Sequence, residues 1–501
     1  MRGRPWARRS FPWVALVFAS ASPFAVGLGF DHAYDDHYTI VSTPAARMSV
    51  SEILDGCLRG RADFPDVSRP AMVLSARLDH ALWGAHPFGT HLSSLVLYVA
   101  SASAAHALAR VLLGRRDLAL ASAAIWATLP VHAEVVVSPS YREDLFAAIG
   151  VFGALAVLLA PAPRPHDWPR ATCAALLAGL GLAGKESALT LVPLAAVLAP
   201  ALASRGGATW SEWAARRERT LALLALVLIA YAAWRAQLSI SGDGVARAAR
   251  GARGPHDDAR YLVWAVAASL WPVDVDPLYA TLSPAGPAWW IGVVALVAVW
   301  AATRRTAVGH ALSFLLVGAL VTAPSIGPAN ERADRYLLFT TFGTSCLVVL
   351  GVAAIARRAQ DPSRAMLWIV GALALALGVR SAFAAQPWSS DLALWTHATE
   401  RVPDSAKAWQ GRAWAERRAG HLDAAAQSLA HSLALDPERP ETRLSAAYLE
   451  IERGDLPRAR ELLRGLRDEG RTELRGMQRA WRCAFDVPTE DARSCLGEGL
   501  R

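Results

Sequence analysis

The sequence has little charge and lacks the motifs of several soluble enzyme classes. Charged residues make up 19% of the 501 residues and hydrophobic residues 53%, whereas about 25% charged residues is usual in a soluble protein. There is no GxxxxGK[ST] phosphate loop, no GxSxG turn and no HExxH helix. ATP hydrolysis, serine-hydrolase chemistry and zincin proteolysis therefore lack support.

Cysteine is also scarce. None of the five cysteines forms a CxxC pair of the kind that binds zinc. Cys483 and Cys495 could form a disulfide if the tail lies in an oxidising compartment. The sequence alone slightly favours two unrelated thiols.

The basic residues indicate a membrane protein rather than a nucleic-acid-binding one. The formal charge is +8, but the arginines cluster in short loops between apolar stretches, which is the pattern that orients membrane proteins. Many of the 19 tryptophans lie near the ends of those stretches, as in an interfacial aromatic belt. We expect contact with membrane lipids and no nucleic-acid partner.

Apolar stretches of suitable length predict an all-α, polytopic helical bundle over residues 1–385. The first stretch is long enough to span, so we interpret it as a retained helix rather than a cleaved signal peptide. Tyr261–Trp271 is too short to cross and is predicted to be interfacial or re-entrant. About eleven spans are predicted, near 11–30, 90–113, 118–136, 144–160, 171–184, 187–203, 220–238, 287–302, 308–323, 336–356 and 366–385.

Arginine-rich loops predict the orientation of the bundle. With a cytoplasmic N-terminus, the inner loops contain Arg115–Arg116, Arg164 with Arg170, Arg205 with Arg216, Arg217 and Arg219, Arg304–Arg305, and Arg357–Arg358 with Arg364. The longer loops, 31–88, 137–143, 239–286 and 324–335, then lie outside. An odd number of crossings puts the tail outside as well. One misjudged span would move the tail to the cytoplasmic side.

The tail, residues 386–501, contains a repeat of 34 residues. Pro403 and Gly420 recur as Pro437 and Gly454, which predicts a tetratricopeptide-like α-solenoid with units 403–436 and 437–470. A half unit near Leu392–Thr399 precedes them, and 471–501 could cap the stack. Such repeats can bind peptides in a groove, or so short an array could form only a packing lid.

An acidic pair, Asp35-Asp36, directly follows the first span. Carboxylates at a membrane face can act as a general base or hold a divalent cation such as Mg²⁺ or Mn²⁺. The alternative is a solvated acidic loop. No other cofactor is implied.

A predicted outer hairpin contains His132, Glu134 and Arg142. Ionisable groups this close to hydrocarbon are costly unless they are paired or functional. They could line a substrate site, or Arg142 could pair structurally with Glu134 or Glu143.

Lys185-Glu186 and Arg335 begin later spans on the same predicted side. Their cations suit an anionic ligand such as a lipid phosphate. The alternative is snorkelling to ordinary headgroups.

These segments, in this order, resemble the C-type membrane glycosyltransferases, and among them the tetratricopeptide-containing transmembrane O-mannosyltransferases. The resemblance extends over essentially the whole chain, although each motif alone is weak. The matching elements are Tyr34-Asp35-Asp36, Ser68-Arg69-Pro70 with Leu74 and Arg77-Leu78, Trp83-Gly84, His91, Pro130–Glu134, Arg142–Leu145, Lys185-Glu186, Asp334–Leu337 and Trp395–Ala398.

The resemblance implies transfer of a sugar, mannose in those enzymes, from a polyprenyl-phosphate donor to an acceptor such as protein Ser or Thr. It implies Asp35 or Asp36 as base or metal ligand, and Lys185 and Arg335 as contacts to phosphate. The other implied substrate-binding residues are Arg69, His91, His132, Glu134, Arg142 and Glu186.

The chain also departs from that family. Ser94 stands where an Asn is frequent, Arg142 is followed by Glu-Asp rather than Ala-Glu, and the repeat array is short. The Arg- and Ala-rich composition suggests a bacterial inner membrane with a periplasmic site and an undecaprenyl-type carrier, by analogy. Two other functions remain open: a non-catalytic scaffold that recruits envelope proteins through its repeats, and a surface-polysaccharide ligase or polymerase with a glycan acceptor.

Overall fold

The structure is a computed structural model. It describes residues 7–60, 68–84, 86–161, 167–240, 255–273, 287–322, 333–468, 477–485 and 495. Most of the predicted outer loops 239–286 and 324–335, and most of the predicted cap 471–501, lie outside the described residues.

The all-α prediction is confirmed, since the described ranges contain helices and no strand. Each predicted span corresponds to a helical segment. The helices of the first 389 residues are Ala7–Ala21, Val50–Arg59, Pro70–Trp83, Pro87–Leu113, Arg116–Ala127, Ala133–Val137, Arg142–Leu159, Trp168–Gly184, Leu191–Arg205, Trp210–Ala215, Glu218–Ile240, Pro255–Leu270, Pro287–Thr303, Ala307–Gly318, Leu338–Ala356 and Pro362–Ala385.

The predicted number of crossings is not confirmed. Within the described ranges, five helical segments are long and apolar enough to cross a membrane, or six if one bent pair is a single span. Several others are apolar but short, such as Ala307–Gly318 with 12 residues. Helix Arg142–Leu159 begins with three charged residues, which makes its first turn costly in hydrocarbon.

The span predicted at 118–136 is broken. Helix Arg116–Ala127 ends before Pro130, and the segment Pro130–Val137 continues at an angle of 60°. Proline cannot donate the backbone hydrogen bond of a helix interior and its ring clashes with the preceding turn. The break turns the chain into the hairpin that holds His132, Glu134 and Arg142.

Two helices that the sequence did not predict lie in the first long loop. Val50–Arg59 begins with a capping box, in which Ser49 and Glu52 satisfy each other's backbone N–H groups. Pro70–Trp83 begins with proline at its first position and buries Met72, Ala76 and Asp79. This second helix therefore places the carboxylate of Asp79 in the protein interior.

The chain divides after Ser389 into two compact units. The second consists of helix pairs: Asp391–Arg401, Ala406–Arg418, Leu422–Leu435, Pro440–Arg453, Leu456–Asp468 and Met477–Phe485. Gly420 and Gly454, 34 residues apart, both turn the chain with φ above +80°, a conformation that favours glycine. The equivalent residues Ala425 and Ala459 are both fully buried.

Cys483 and Cys495 form a disulfide, with Cα atoms 5.6 Å apart. The interpretation as two unrelated thiols is therefore wrong. Both residues lie in one apolar cluster with Leu463 and Leu466, and this shared burial brings together thiols that are 12 positions apart in sequence.

Candidate active site

The segment 31–41 around Asp35 and Asp36, here called the acidic loop, contains an unusual backbone conformation. Tyr34 has φ +55°, and no other non-glycine residue in the described ranges has a positive φ. Such residues are uncommon outside turns and functional sites. The carboxyl groups of Asp35 and Asp36, which follow it, have different partners.

Asp36 is buried, with 1% of its surface exposed. One carboxylate oxygen accepts hydrogen bonds from Ser138 Oγ (2.9 Å), Ser140 N (2.9 Å) and Ser140 Oγ (2.6 Å). The other accepts from Ala33 N at 3.2 Å. Asp36 therefore accepts four hydrogen bonds, and those from Ser138 and Ser140 tie the acidic loop to the hairpin.

Asp35 is half-buried and makes fewer bonds. The hydroxyl of Tyr141 donates to its Oδ2 at 3.0 Å. Burial raises the pKa of Asp35, while the Tyr141 hydrogen bond and the charge of Arg335 oppose that rise. A carboxylate with a raised pKa accepts a proton more readily than an ordinary aspartate.

Arg335 lies over the face of the Tyr141 ring. Its guanidinium carbon is 4.0 Å from the ring centroid, and its Nη1 donates to Glu134 Oε1. The backbone N–H of Arg335 also donates to Glu134, at 3.2 Å. Its Nε is buried and makes no hydrogen bond to any residue that the structure describes, so this cation has one buried donor that its described neighbours leave unsatisfied.

Lys185 lies between two carboxylates. Its Nζ is 2.6 Å from Asp144 Oδ2 and 2.9 Å from Glu143 Oε1. Helices Arg142–Leu159 and Trp168–Gly184 pack closely at Gly150, because glycine has no Cβ. A Cβ at this position would lie 2.5 Å from Gly181 Cα. Only glycine permits so close a contact.

Arg69 extends the same cluster. Its guanidinium donates to Glu143 at 2.6 Å and to Glu186 at 3.2 Å. The positive charges of Arg69 and Lys185 are therefore both matched by carboxylates. The structure brings these residues together as an alternating network of ion pairs.

Arg142 is fully buried and has other partners. It pairs with Asp79 at 2.5 Å and donates through Nε to Ser94 Oγ at 2.8 Å. Neither Glu134 nor Glu143, its two predicted structural partners, forms an ion pair with it among the described contacts. Its substrate-binding role stays a prediction, and its contacts are those of an internal salt bridge.

His132 and His91 are also internal. His132 is fully buried between Tyr98 Oη (2.8 Å) and Thr341 Oγ1 (3.1 Å). His91 is buried beside His32, with ring centroids 6.1 Å apart. Burial lowers the pKa of His32 to about 4. The substrate-binding roles of His91 and His132 remain predictions.

Sequence reasoning did not predict the contacts of two further side chains in this region. Asp79 is the buried partner of Arg142, and its signal was the helical spacing of Met72, Ala76 and Asp79, which places the three on one face of the helix. Tyr141 links Asp35 to Arg335. Nothing in the local sequence distinguishes it from an interfacial tyrosine.

A divalent cation at Asp36 would compete with hydrogen bonds that its carboxylate already accepts. Binding at Asp36 would displace the N–H groups of Ala33 and Ser140 from its oxygens. Across the described ranges, no three His, Cys, Asp or Glu side chains are grouped in a way that could hold a metal. Metal binding by Asp35 and Asp36 stays a prediction.

Sequence comparison finds protein O-mannosyl-transferases. The chain is 30% identical to Drosophila melanogaster Tmtc2 over 135 residues, which is 26% of this chain and 14% of that protein. It is 27% identical to human TMTC2 over 181 residues, 34% of this chain and 22% of that one. The predicted resemblance is confirmed for about a quarter to a third of the chain, not for the essentially whole chain that was predicted. The matched segments span less than a quarter of each relative.

The tetratricopeptide repeat family model matches residues 416–479, which confirms the predicted repeat. Among solved structures, the chain is similar to the Archaeoglobus fulgidus oligosaccharyltransferase AglB in complex with an inhibitory peptide and a dolichol-phosphate. That similarity has a TM-score of 0.44 and 12% identity, and it covers 77% of this chain and 56% of the other.

Proposed function

We propose that this chain is a membrane glycosyltransferase that moves a sugar from a polyprenyl-phosphate donor to an acceptor hydroxyl. The main support is that a carboxylate and a cation both contact Tyr141. Asp35 accepts a hydrogen bond from its hydroxyl, and the guanidinium of Arg335 stacks on its ring. The similarity to protein O-mannosyl-transferases supports mannose as the sugar and a protein as the acceptor.

Asp35 is the base in this proposal. It takes the proton of the acceptor hydroxyl as that oxygen forms its bond to the anomeric carbon of the sugar. Because its pKa is raised by burial, it binds a proton more readily than an exposed aspartate. Asp36 is assigned the anchoring role, since its carboxylate already accepts four hydrogen bonds.

Arg335 stabilises the leaving group. The bond between the anomeric carbon and the phosphate oxygen breaks, and its electron pair leaves with the polyprenyl phosphate. Developing charge on that phosphate is stabilised by a cation already in position, and the buried Nε of Arg335 is a donor that its described neighbours leave unsatisfied. Lys185 is a weaker candidate because two carboxylates neutralise it.

We assign the site and the repeats to the extracytoplasmic side of a bacterial inner membrane. The Cys483–Cys495 disulfide supports this for the tail, because disulfides persist in oxidising compartments such as the periplasm. The arginine-rich loops support a cytoplasmic N-terminus. An undecaprenyl-type carrier follows from that location.

The test is Asp35→Asn in membranes that contain the full chain, with undecaprenyl-phospho-[³H]mannose as donor. Loss of a general base should reduce transfer by about 10²–10⁴-fold. Asp55→Asn is the matched control, because Asp55 is a half-exposed carboxylate of the same predicted outer loop, in helix Val50–Arg59. Unchanged transfer in Asp35→Asn would end the assignment of the base.

The acceptor is tested separately. Intact glycoprotein profiles of a deletion strain are compared with its lipopolysaccharide pattern. Loss of sugars from proteins supports a protein acceptor, whereas a change confined to the polysaccharide contradicts it and favours a ligase or polymerase.

A further inference from the structure

Tyr141 touches both groups to which the proposed reaction assigns chemistry. Its hydroxyl donates to Asp35 Oδ2 at 3.0 Å, and its ring lies 4.0 Å from the guanidinium carbon of Arg335. The ring of Trp388 packs edge-on at 6.1 Å. Tyr141 is itself buried, with 5% of its surface exposed.

Each contact restrains a different partner. Burial raises the pKa of the Tyr141 phenol, so it stays protonated and remains a hydrogen-bond donor to Asp35. The negative face of an aromatic ring attracts a guanidinium, more strongly where water is excluded. Because Trp388 packs against the ring, the ring is a fixed spacer rather than a mobile side chain.

We infer that Tyr141 is a positioning residue that sets the placement of Asp35 relative to Arg335, and so aligns acceptor deprotonation with departure of the donor phosphate. This inference rests on the proposed glycosyl transfer. Tyr141 contributes no proton to the reaction and forms no bond to the sugar. Its two contacts can be removed one at a time.

Tyr141→Phe keeps the ring and removes the hydroxyl. The charged and titratable groups that act on Asp35 are Tyr141, Arg335, Asp36 and Glu143. Of these, Tyr141 and Arg335 lower the Asp35 pKa and the two carboxylates raise it. Loss of the hydroxyl should therefore raise the Asp35 pKa further, and the acid limb of the rate profile should move to higher pH.

The experiment measures transfer from undecaprenyl-phospho-[³H]mannose by the purified full chain, over a range of donor concentration and pH. We expect Tyr141→Phe to lower kcat by roughly 10- to 100-fold, with the acid limb shifted upwards and the donor KM nearly unchanged. We expect Tyr141→Leu to show the same loss and also to raise the donor KM by about 2- to 30-fold, because Arg335 loses its ring.

Tyr38→Phe is the matched control, because Tyr38 is an exposed tyrosine of the acidic loop. The pH at half-maximal rate does not depend on the amount of folded enzyme, so poor folding of a variant leaves this readout intact. If wild type transfers mannose and Asp35→Asn does not, but Tyr141→Phe matches wild type in kcat and pH profile, the inference is wrong. If wild type transfers nothing, the proposed function itself has failed.

Discussion

At the scale of single residues, burial and hydrogen-bond capacity separate carboxylates that look alike in sequence. Asp35 and Asp36 are adjacent, yet Asp36 has four donors at its oxygens and Asp35 has one described donor. Hydrogen bonds to a carboxylate stabilise its charged form. The sequence predicted an acidic pair at this place, but it could not distinguish an anchor from a base.

Arg142 provides a residue-scale prediction. It is fully buried against Asp79, and removing one partner of a buried ion pair typically costs about 3–5 kcal/mol. We expect Arg142→Met to lower the detergent melting temperature strongly, and Arg142→Met with Asp79→Leu to recover part of the loss.

The control for that experiment is Arg115→Met. Arg115 pairs with Asp117 on the exposed surface, where such pairs contribute about 0–1 kcal/mol. If the double variant is no more stable than Arg142→Met alone, the buried pair does not explain the role of Arg142. A substrate contact would then regain support.

At the scale of elements, arginines of the predicted inner loops donate hydrogen bonds to the ends of helices. Arg217 donates to the carbonyl oxygens of Leu158 (2.9 Å) and Ala160 (2.8 Å), and Arg170 donates to Ala160 at 2.5 Å. Arg205 donates to Leu112 at 3.3 Å. The last carbonyl groups of a helix have no partner within it, and its C-terminal end attracts cations.

We therefore expect Arg217→Ala to destabilise the end of helix Arg142–Leu159. Hydrogen bonds from charged groups contribute about 1.5–3 kcal/mol each, so the melting temperature should fall clearly. Arg216→Ala removes the same charge from an exposed neighbour and should have little effect. Equal effects of the two substitutions would indicate that only the loop charge matters.

Element positions were predictable where the apolar signal was long, and less so elsewhere. Pro362–Ala385 matches its predicted span to within a few residues, whereas the break before Pro130 was missed because apolar residues continue through it. Val50–Arg59 was missed because it is short and half-exposed. Long-range partners were not predictable, since Glu134 and Arg335 are 201 positions apart.

At the scale of the whole molecule, the side of the membrane on which the tail lies depends on whether the number of spans is odd or even. The described helices do not decide that number. The disulfide is an independent indicator, because it reports the compartment of the tail without any count of crossings. Of the five cysteines, Cys57, Cys173 and Cys346 are free. Thiol counting can therefore test the topology.

The test labels the full chain, quenched and denatured from cells, with a mass-tag maleimide. We expect three tags before reduction and five after it, since the Cys483–Cys495 bond protects two thiols. Cys483→Ser should show the same number of tags, four, with and without reductant. Five tags without reductant would mean that the tail is reduced in the cell, and a cytoplasmic tail would then require an even number of crossings.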